Sequence, residues 1–253
     1  MVDMSSLDRI HRRYVEQAAW TAEARARLLG RVSPAGARLL EVGAGTGAIA
    51  RDLAAANNAA IVFALDIDLR VCAYGARIAR QARWHCADAH ALPLESSSLD
   101  VVLFHYVLLW LDDPAQALSE AARVTRPGGW VLALAEPDHA GRLDYPDLLA
   151  RLGERQTGAL AAQGADVRMG RKLRGLFALS GLTDVTTGVL SGEWNAARSP
   201  GSSALEWETL RADLDGSVPE ADLNALAETD RGAWERGERV LFVPTFYAAG
   251  RVV

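Results

Sequence analysis

Apolar residues follow two rhythms along this chain. Short unbroken apolar runs alternate with longer stretches in which apolar residues recur every three or four positions. The runs at Arg38–Glu41, Ala60–Leu65, Ala82–Cys86, Leu99–Phe104 and Val131–Ala135 read as strands, and the continuous apolar run Ala60–Leu65 implies burial on both faces and hence a parallel sheet. Between them Ala48–Ala54, Leu69–Ala79 and Ala115–Val124 repeat at helical spacing. Strand and helix alternating in this way predict an α/β fold, a doubly wound, mostly parallel Rossmann-like sheet with helices on both faces and right-handed crossovers. Residues 8–31 carry Ile10, Tyr14, Ala18, Trp20 and Leu28 among charged neighbours, an amphipathic helix with a break near Trp20-Thr21. Past residue 136 the pattern loosens into helices at Tyr145–Leu160 and Gly170–Leu179, a sixth strand at Thr183–Val189, helices at Ser203–Leu214 and Glu220–Glu235, and a seventh strand at Arg239–Tyr247.

Composition narrows the class. The chain has 253 residues, half of them hydrophobic, so one α/β domain with insertions can bury a full core. A net charge of −5, with Lys172 the only lysine and no basic block, disfavours a nucleic-acid partner. No apolar stretch reaches membrane-spanning length and the first residues lack a signal-peptide core, so a cytoplasmic protein with no membrane partner is expected. Cys72 and Cys86 have neither metal-ligand nor disulfide spacing, and no metal site is expected. The single domain over residues 1–253 divides into an N-terminal helical cap (1–35), a cofactor-binding core (36–136) and helical substrate-side insertions (137–182 and 190–236).

The candidate chemistry begins at Glu41-Val42-Gly43-Ala44-Gly45-Thr46-Gly47, a glycine turn between the first strand and the first core helix. Glycine allows positive φ and close approach of a ligand, and the helix start offers free N–H groups, so the turn should hold part of a nucleotide-like molecule. Gly43, Gly45 and Ala48, with Asp66 downstream, fit a dinucleotide fingerprint. Glu41 argues otherwise: a carboxylate there suits a cation and repels a pyrophosphate. Asp66 ends the second strand, where a carboxylate can accept both hydroxyls of a ribose; Ile67 beside it would pack on the base. Tyr14 and Trp20 of the first helix would cap the ligand. The segment from Phe104 and His105 to Leu111 should face the glycine turn.

Leu39–Gly47 reads hhEhGxGxG, Ser98–Val102 reads s-h-D-h-h, and Arg126-Pro127-Gly128-Gly129-Trp130-Val131 precedes the fifth strand as [RK]-P-G-G-x-h. In these motifs the chain resembles the class I S-adenosylmethionine-dependent methyltransferases, and within them the small-molecule group of the ubiquinone and menaquinone enzymes. The resemblance implies S-adenosyl-L-methionine as cofactor, held by Glu41, Gly43, Ala44, Gly45, Gly47 and Asp66. Asp88 and Ala89 would meet its adenine amino group. It also implies an antiparallel strand in a C-terminal hairpin and methyl transfer to a small, fairly apolar acceptor. The Asn/Asp-Pro-Pro-aromatic tetrad of amino-methylating relatives is absent after Phe104, which argues against planar amide or base-amino substrates. His105 and His139, both at strand ends, are candidate bases for an acceptor that must lose a proton. Trp110, Trp194, Trp207 and Trp234 add aromatic material for an organic acceptor. Two alternatives stand beside this reading: an NAD(P)-dependent oxidoreductase, against which Glu41 and the lack of a Tyr-x-x-x-Lys pair weigh, and a non-catalytic regulator that binds the cofactor. The acceptor atom is left open, as is a homodimer.

Overall fold

The computed structural model describes residues 4–56, 60–190, 200–214 and 216–253, with side chains from residue 6 onward and from residue 203 in the third segment. Its order is α1 (Met4–Trp20), α2 (Ala22–Val32), β1 (Arg38–Val42), α3 (Ala48–Ala56), β2 (Ile61–Asp66), α4 (Leu69–Ile78), β3 (Arg83–Cys86) and β4 (Leu99–Phe104). It continues with α5 (Pro114–Val124), β5 (Thr125–Pro137), β6 (Leu143–Tyr145), α6 (Asp147–Ala162), α7 (Met169–Leu179) and β7 (Thr183–Leu190). The last elements are α8 (Pro200–Leu214), α9 (Glu220–Glu235), β8 (Val240–Phe242) and β9 (Thr245–Arg251). Among the described residues no helix is long and apolar enough to cross a membrane.

The main sheet has seven strands in the order β3-β2-β1-β4-β5-β9-β7. Strands β1 to β5 pair in parallel, and β9 runs antiparallel to both β5 and β7. The uninterrupted apolar runs are explained by burial on both faces. Leu40, Val42, Phe63, Leu65, Val102, Phe104 and Val131 face a cluster closed by α5 and α7. Their neighbours Leu39, Val62, Ala64, Val101, Leu103 and Leu132 face the other side, against α2 and α3. Because side chains alternate along a strand, Glu41 falls on the second face, where Arg25 of α2 arrives. Local caps fix the crossovers: Asp68 accepts the Arg70 N–H at the start of α4, and Asp113 accepts the Gln116 N–H at the start of α5, just before Pro114. Asp100 accepts from the Arg38 backbone at 2.7 Å and from Arg126 Nε at 2.6 Å, a structural link between the starts of three strands.

The C-terminal segment departs from expectation. Arg239–Tyr247 does not form one strand. Pro244, which has no N–H to give a ladder, separates β8 from β9. β8 instead pairs antiparallel with β6, a short strand that the helical pattern around Tyr145 had concealed. This two-stranded sheet, α6, α8 and α9 form a helical layer over the carboxyl ends of β4 and β5, with a core of its own around Leu152, Trp207, Leu210 and Leu214. β5 also starts earlier than predicted, at Thr125, through a register shift opposite Leu99–Val101. Trp194 lies outside the described residues.

Candidate functional site

Two adjoining cavities open at the carboxyl ends of β1, β2, β4 and β5. The first, of about 310 Å³, is walled by the glycine turn, by α1 and by the loop after β4. Two glycines are required there. Gly43 has φ +68°, and a Cβ on it would lie 2.3 Å from Val107 Cγ2; Gly45 has φ +52°, and its Cβ would lie 2.8 Å from the Tyr14 ring. The turn is therefore clasped between the loop and α1 so tightly that only hydrogen fits. α1 is pinned by further contacts: His11 Nδ1 to Thr46 Oγ1 at 2.9 Å, and Tyr74 Oη donating to Asp8 at 2.7 Å.

Glu41 and Asp66 bring the charge. Asp66 accepts from the Gly45 N–H at 2.9 Å and from the Asp68 N–H at 3.1 Å, which holds its carboxylate beside the glycine turn with acceptor capacity left on each oxygen. Glu41 is 3% exposed, and its Oε2 has no hydrogen-bond partner among the described residues. Burial raises its pKa well above the ordinary carboxylate value, partly opposed by Arg25 and by the Ala50 backbone N–H. Arg25 is itself buried, donating to Ala18 O at 2.9 Å and to Asp52 at 3.0 Å. An orphaned, buried carboxylate oxygen facing a cavity is a site for a cationic donor.

Glu136 shapes the facing wall. It is fully buried at the end of β5, and its carboxylate accepts from the backbone N–H groups of Val107, Leu108 and Leu109 at 3.1 to 3.3 Å. Burial outweighs those bonds and pushes its pKa up to about 7. This fastens the loop that carries Tyr106, at φ +57°, and Val107 against Gly43.

The second cavity, of about 530 Å³, lies under the helical layer. Its wall mixes polar side chains with aromatic and aliphatic ones, the latter including Trp20, Trp207, Trp234, Leu152, Leu210 and Phe242. Polar residues of the same lining are tied together by ion pairs and hydrogen bonds: Arg239 lies 2.7 Å from Asp144 and 2.6 Å from Asp230, Arg142 pairs with Asp144 and donates to Gln156, and Gln156 donates to Asp213 at 2.8 Å. Arg13, Gln17, Tyr106, Pro137 and His139 line both cavities and so form the throat between them.

Of the residues expected to bind the cofactor, Tyr14, Glu41, Gly43, Ala44, Gly45, Asp66 and His105 line the first cavity. Others are placed elsewhere. Trp20 lines the second cavity, because α1 ends there. Phe104 is completely buried in the core, since strand alternation turns it toward α5 and α7. Gly47 gives room to Trp84, 3.0 Å from where its Cβ would be. Ile67 is 72% exposed at the rim, outside both linings. Asp88 turns to solvent and onto His90, accepting from that residue's backbone N–H at 2.9 Å, while Ala89 packs into the core.

The two histidines are both held neutral. His105 Nε2 lies 2.9 Å from Thr21 Oγ1, and burial, with Arg25 nearby, pushes its pKa down to about 3. That is a correction to its expected role, since a ring with so little affinity for a proton is a poor general base near neutral pH. His139 stands in the throat, its Nδ1 buried without a partner among the described residues, and burial with Arg142 lowers its pKa to about 4. Tyr106 lies in the segment expected to face the glycine turn, whereas Arg13 and Gln17 were not foreseen. Arg13 and Gln17 lie on the same stripe of α1 as Tyr14, so helical spacing carried at least that signal.

Known proteins match this arrangement. Residues 40–133 match the family described as the methyltransferase domain. A malonyl-[acyl-carrier protein] O-methyltransferase of Halorhodospira halophila is 38% identical over 136 residues, covering 50% of this chain and 45% of that protein. A demethylmenaquinone methyltransferase of Renibacterium salmoninarum is 38% identical over 104 residues, 41% of this chain and 43% of the relative. The chain thus spans about half the length of the curated relatives it matches. Among solved structures, a Haemonchus contortus phosphoethanolamine N-methyltransferase in complex with S-adenosylhomocysteine superposes with a TM-score of 0.59 at 15% identity, over 94% of this chain and 56% of that one. That likeness concerns the fold. The glycine turn and most of the parallel strands β1 to β5 lie within the same stretch, residues 40–133, that matches the methyltransferase domain.

Proposed function

We propose that the chain transfers a methyl group from S-adenosyl-L-methionine, bound in the first cavity, to a small organic acceptor in the second. The observation that carries this reading is the buried, unpartnered Oε2 of Glu41 at the wall of a cavity closed by Gly43 and Gly45. A carboxylate so placed accepts an ammonium and rejects a pyrophosphate, which separates this cofactor from a dinucleotide on the same fold. Asp66, already oriented by two backbone N–H groups, would accept the ribose hydroxyls. Tyr14 and the loop after β4 would cover the cofactor and exclude water. Bound there, it supplies a methyl group on a positively charged sulfur. The protein's share of the work is alignment: the throat of Arg13, Gln17, Tyr106 and His139 brings acceptor and methyl group together.

Residues 137–182 and 190–236 then serve as the substrate side, since the second cavity's lining comes largely from them and from β8. The malonyl-carrier-protein and demethylmenaquinone relatives by their names act on organic acceptors, and a cavity of mixed aromatic and polar lining supports the same for this chain.

A thermal-shift titration with S-adenosylhomocysteine, with NADH and NADPH in parallel, tests the cofactor. Ligand at ~100 times its Kd adds roughly 2.7 kcal/mol of stability, a shift of about 5 °C or more at this size. The expected result is a saturable rise with the homocysteine nucleoside alone; a rise only with a dinucleotide would overturn the reading.

A further inference from the structure

The throat between the cavities has a charge character of its own. Among the residues lining both, Arg13 is the only charged one at neutral pH and none is a carboxylate. Glu41 and Asp66 line only the first cavity; Glu16, Glu206 and Asp230 line only the second. Asp230 is engaged by Arg239 at 2.6 Å and by Trp207 Nε1 at 3.0 Å. Arg13 is lightly held: its Nη1 is 3.4 Å from Asp213, whose carboxylate also takes a shorter bond of 2.8 Å from Gln156, and its Nε is buried without a hydrogen-bond partner among the described residues. A guanidinium has five N–H donors in a planar fork suited to an oxyanion. Gln17 and Tyr106 line the same throat.

Resting on the methyl-transfer reading, the geometry points to an acceptor that is an acid, presenting a carboxylate or phenolate oxygen in the throat, where Arg13 orients it toward the first cavity. The apolar remainder of such an acceptor would lie against Trp20, Trp207 and Phe242. The chemistry closes without a base. The acceptor oxygen forms its bond to carbon with a lone pair as the carbon–sulfur bond breaks onto sulfur, so an acceptor of charge −1 and a sulfonium of charge +1 give two neutral products. No proton has to be placed. An amine would behave oppositely: its ammonium form meets Arg13, and it must shed a proton before its nitrogen has a lone pair to give, in a throat whose one imidazole, His139, is held down to about 4 by burial and Arg142.

Calorimetric titration of the protein saturated with S-adenosylhomocysteine reads this directly. The probes are 1-naphthoate, 2,4-dinitro-1-naphthol (a phenol ionised at neutral pH), naphthalene-1-carboxamide and 1-naphthylmethylamine. At least one anion should bind about tenfold or more tightly than the carboxamide, the ammonium should bind weakest, and the two anions compare carboxylate with phenolate sources. Arg13→Gln should abolish the anion preference and Arg13→Lys restore part of it, with homocysteine-nucleoside affinity measured on each variant to show an intact site. The inference is overturned if the carboxamide or the ammonium matches the anions, if no probe binds, or if Arg13→Gln keeps the preference. The wild-type ranking decides the charge preference even if a variant does not fold. Failure to bind S-adenosylhomocysteine itself would instead overturn the methyl-transfer reading.

Discussion

Replacing Glu41 by Gln should make the free protein more stable and the cofactor weaker, and the two effects come from one atom. In the free protein Oε2 is buried with no partner among the described residues, and burial pushes the carboxyl pKa well above its ordinary value. A raised folded-state pKa means that stability linked to this group is full below the unfolded value and is lost as pH rises through the folded one. The glutamine does not titrate, so the difference in unfolding free energy, variant minus wild type, should grow from pH 5 toward pH 8. A buried unsatisfied polar group costs ~1–3 kcal/mol, and the glutamine amide must still find a partner, so a gain of about 1 kcal/mol is expected. That corresponds to a Tm increase of roughly 2–4 °C. With S-adenosylhomocysteine bound, the sign reverses. Losing one charge-assisted hydrogen bond to the ammonium, ~1.5–3 kcal/mol, weakens binding about 10- to 100-fold. Thermal unfolding across pH gives the first number and calorimetry the second. A variant less stable than wild type at pH 7.5, or one whose Kd moves by less than about threefold, would refute the reasoning.

Three further perturbations follow from other residues. Glu136→Ala leaves the Val107, Leu108 and Leu109 N–H groups without their acceptor; it should cost about 2–3 kcal/mol by denaturant unfolding and also weaken S-adenosylhomocysteine, since that loop holds Gly43. His105→Gln should leave the turnover profile between pH 6 and 8 unchanged in shape, because a ring with a pKa near 3 does not titrate there. Its depressed folded value means stability is present above pH 6.5 and lost as pH falls toward 3, and in acid unfolding the variant should lack that contribution. Arg239→Met strands the buried carboxylates of Asp144 and Asp230, a loss of about 3–5 kcal/mol; because Arg239 does not line the first cavity, homocysteine-nucleoside affinity measured well below the new Tm should be retained.

The sheet was legible in the sequence wherever burial on two faces wrote a continuous apolar run, as in β1, β2, β4 and β5. The glycine turn was legible because positive φ and close approach leave few alternatives to glycine at Gly43 and Gly45. The break between β8 and β9 was harder, since Pro244 sits in a run that otherwise reads as one strand, and β6 is too short to leave a period. At the site, strand ends could be located but not the direction of each side chain. Phe104 and His105 are adjacent, yet alternation sends one into the core and the other to the cavity. Asp88 turned away because His90, two residues on, offers both a backbone and a ring donor. The throat was invisible for a different reason. Arg13, Tyr106 and His139 come from separate segments, and only the folded chain brings them together.

The most direct test of the whole account is a crystal structure of the complex with S-adenosylhomocysteine. The account predicts the amino group on Glu41, the ribose hydroxyls on Asp66, and the sulfur facing the throat of Arg13, Tyr106 and His139, with the second cavity left open beyond it. A nucleoside seated in the second cavity, or a sulfur turned away from the throat, would contradict it.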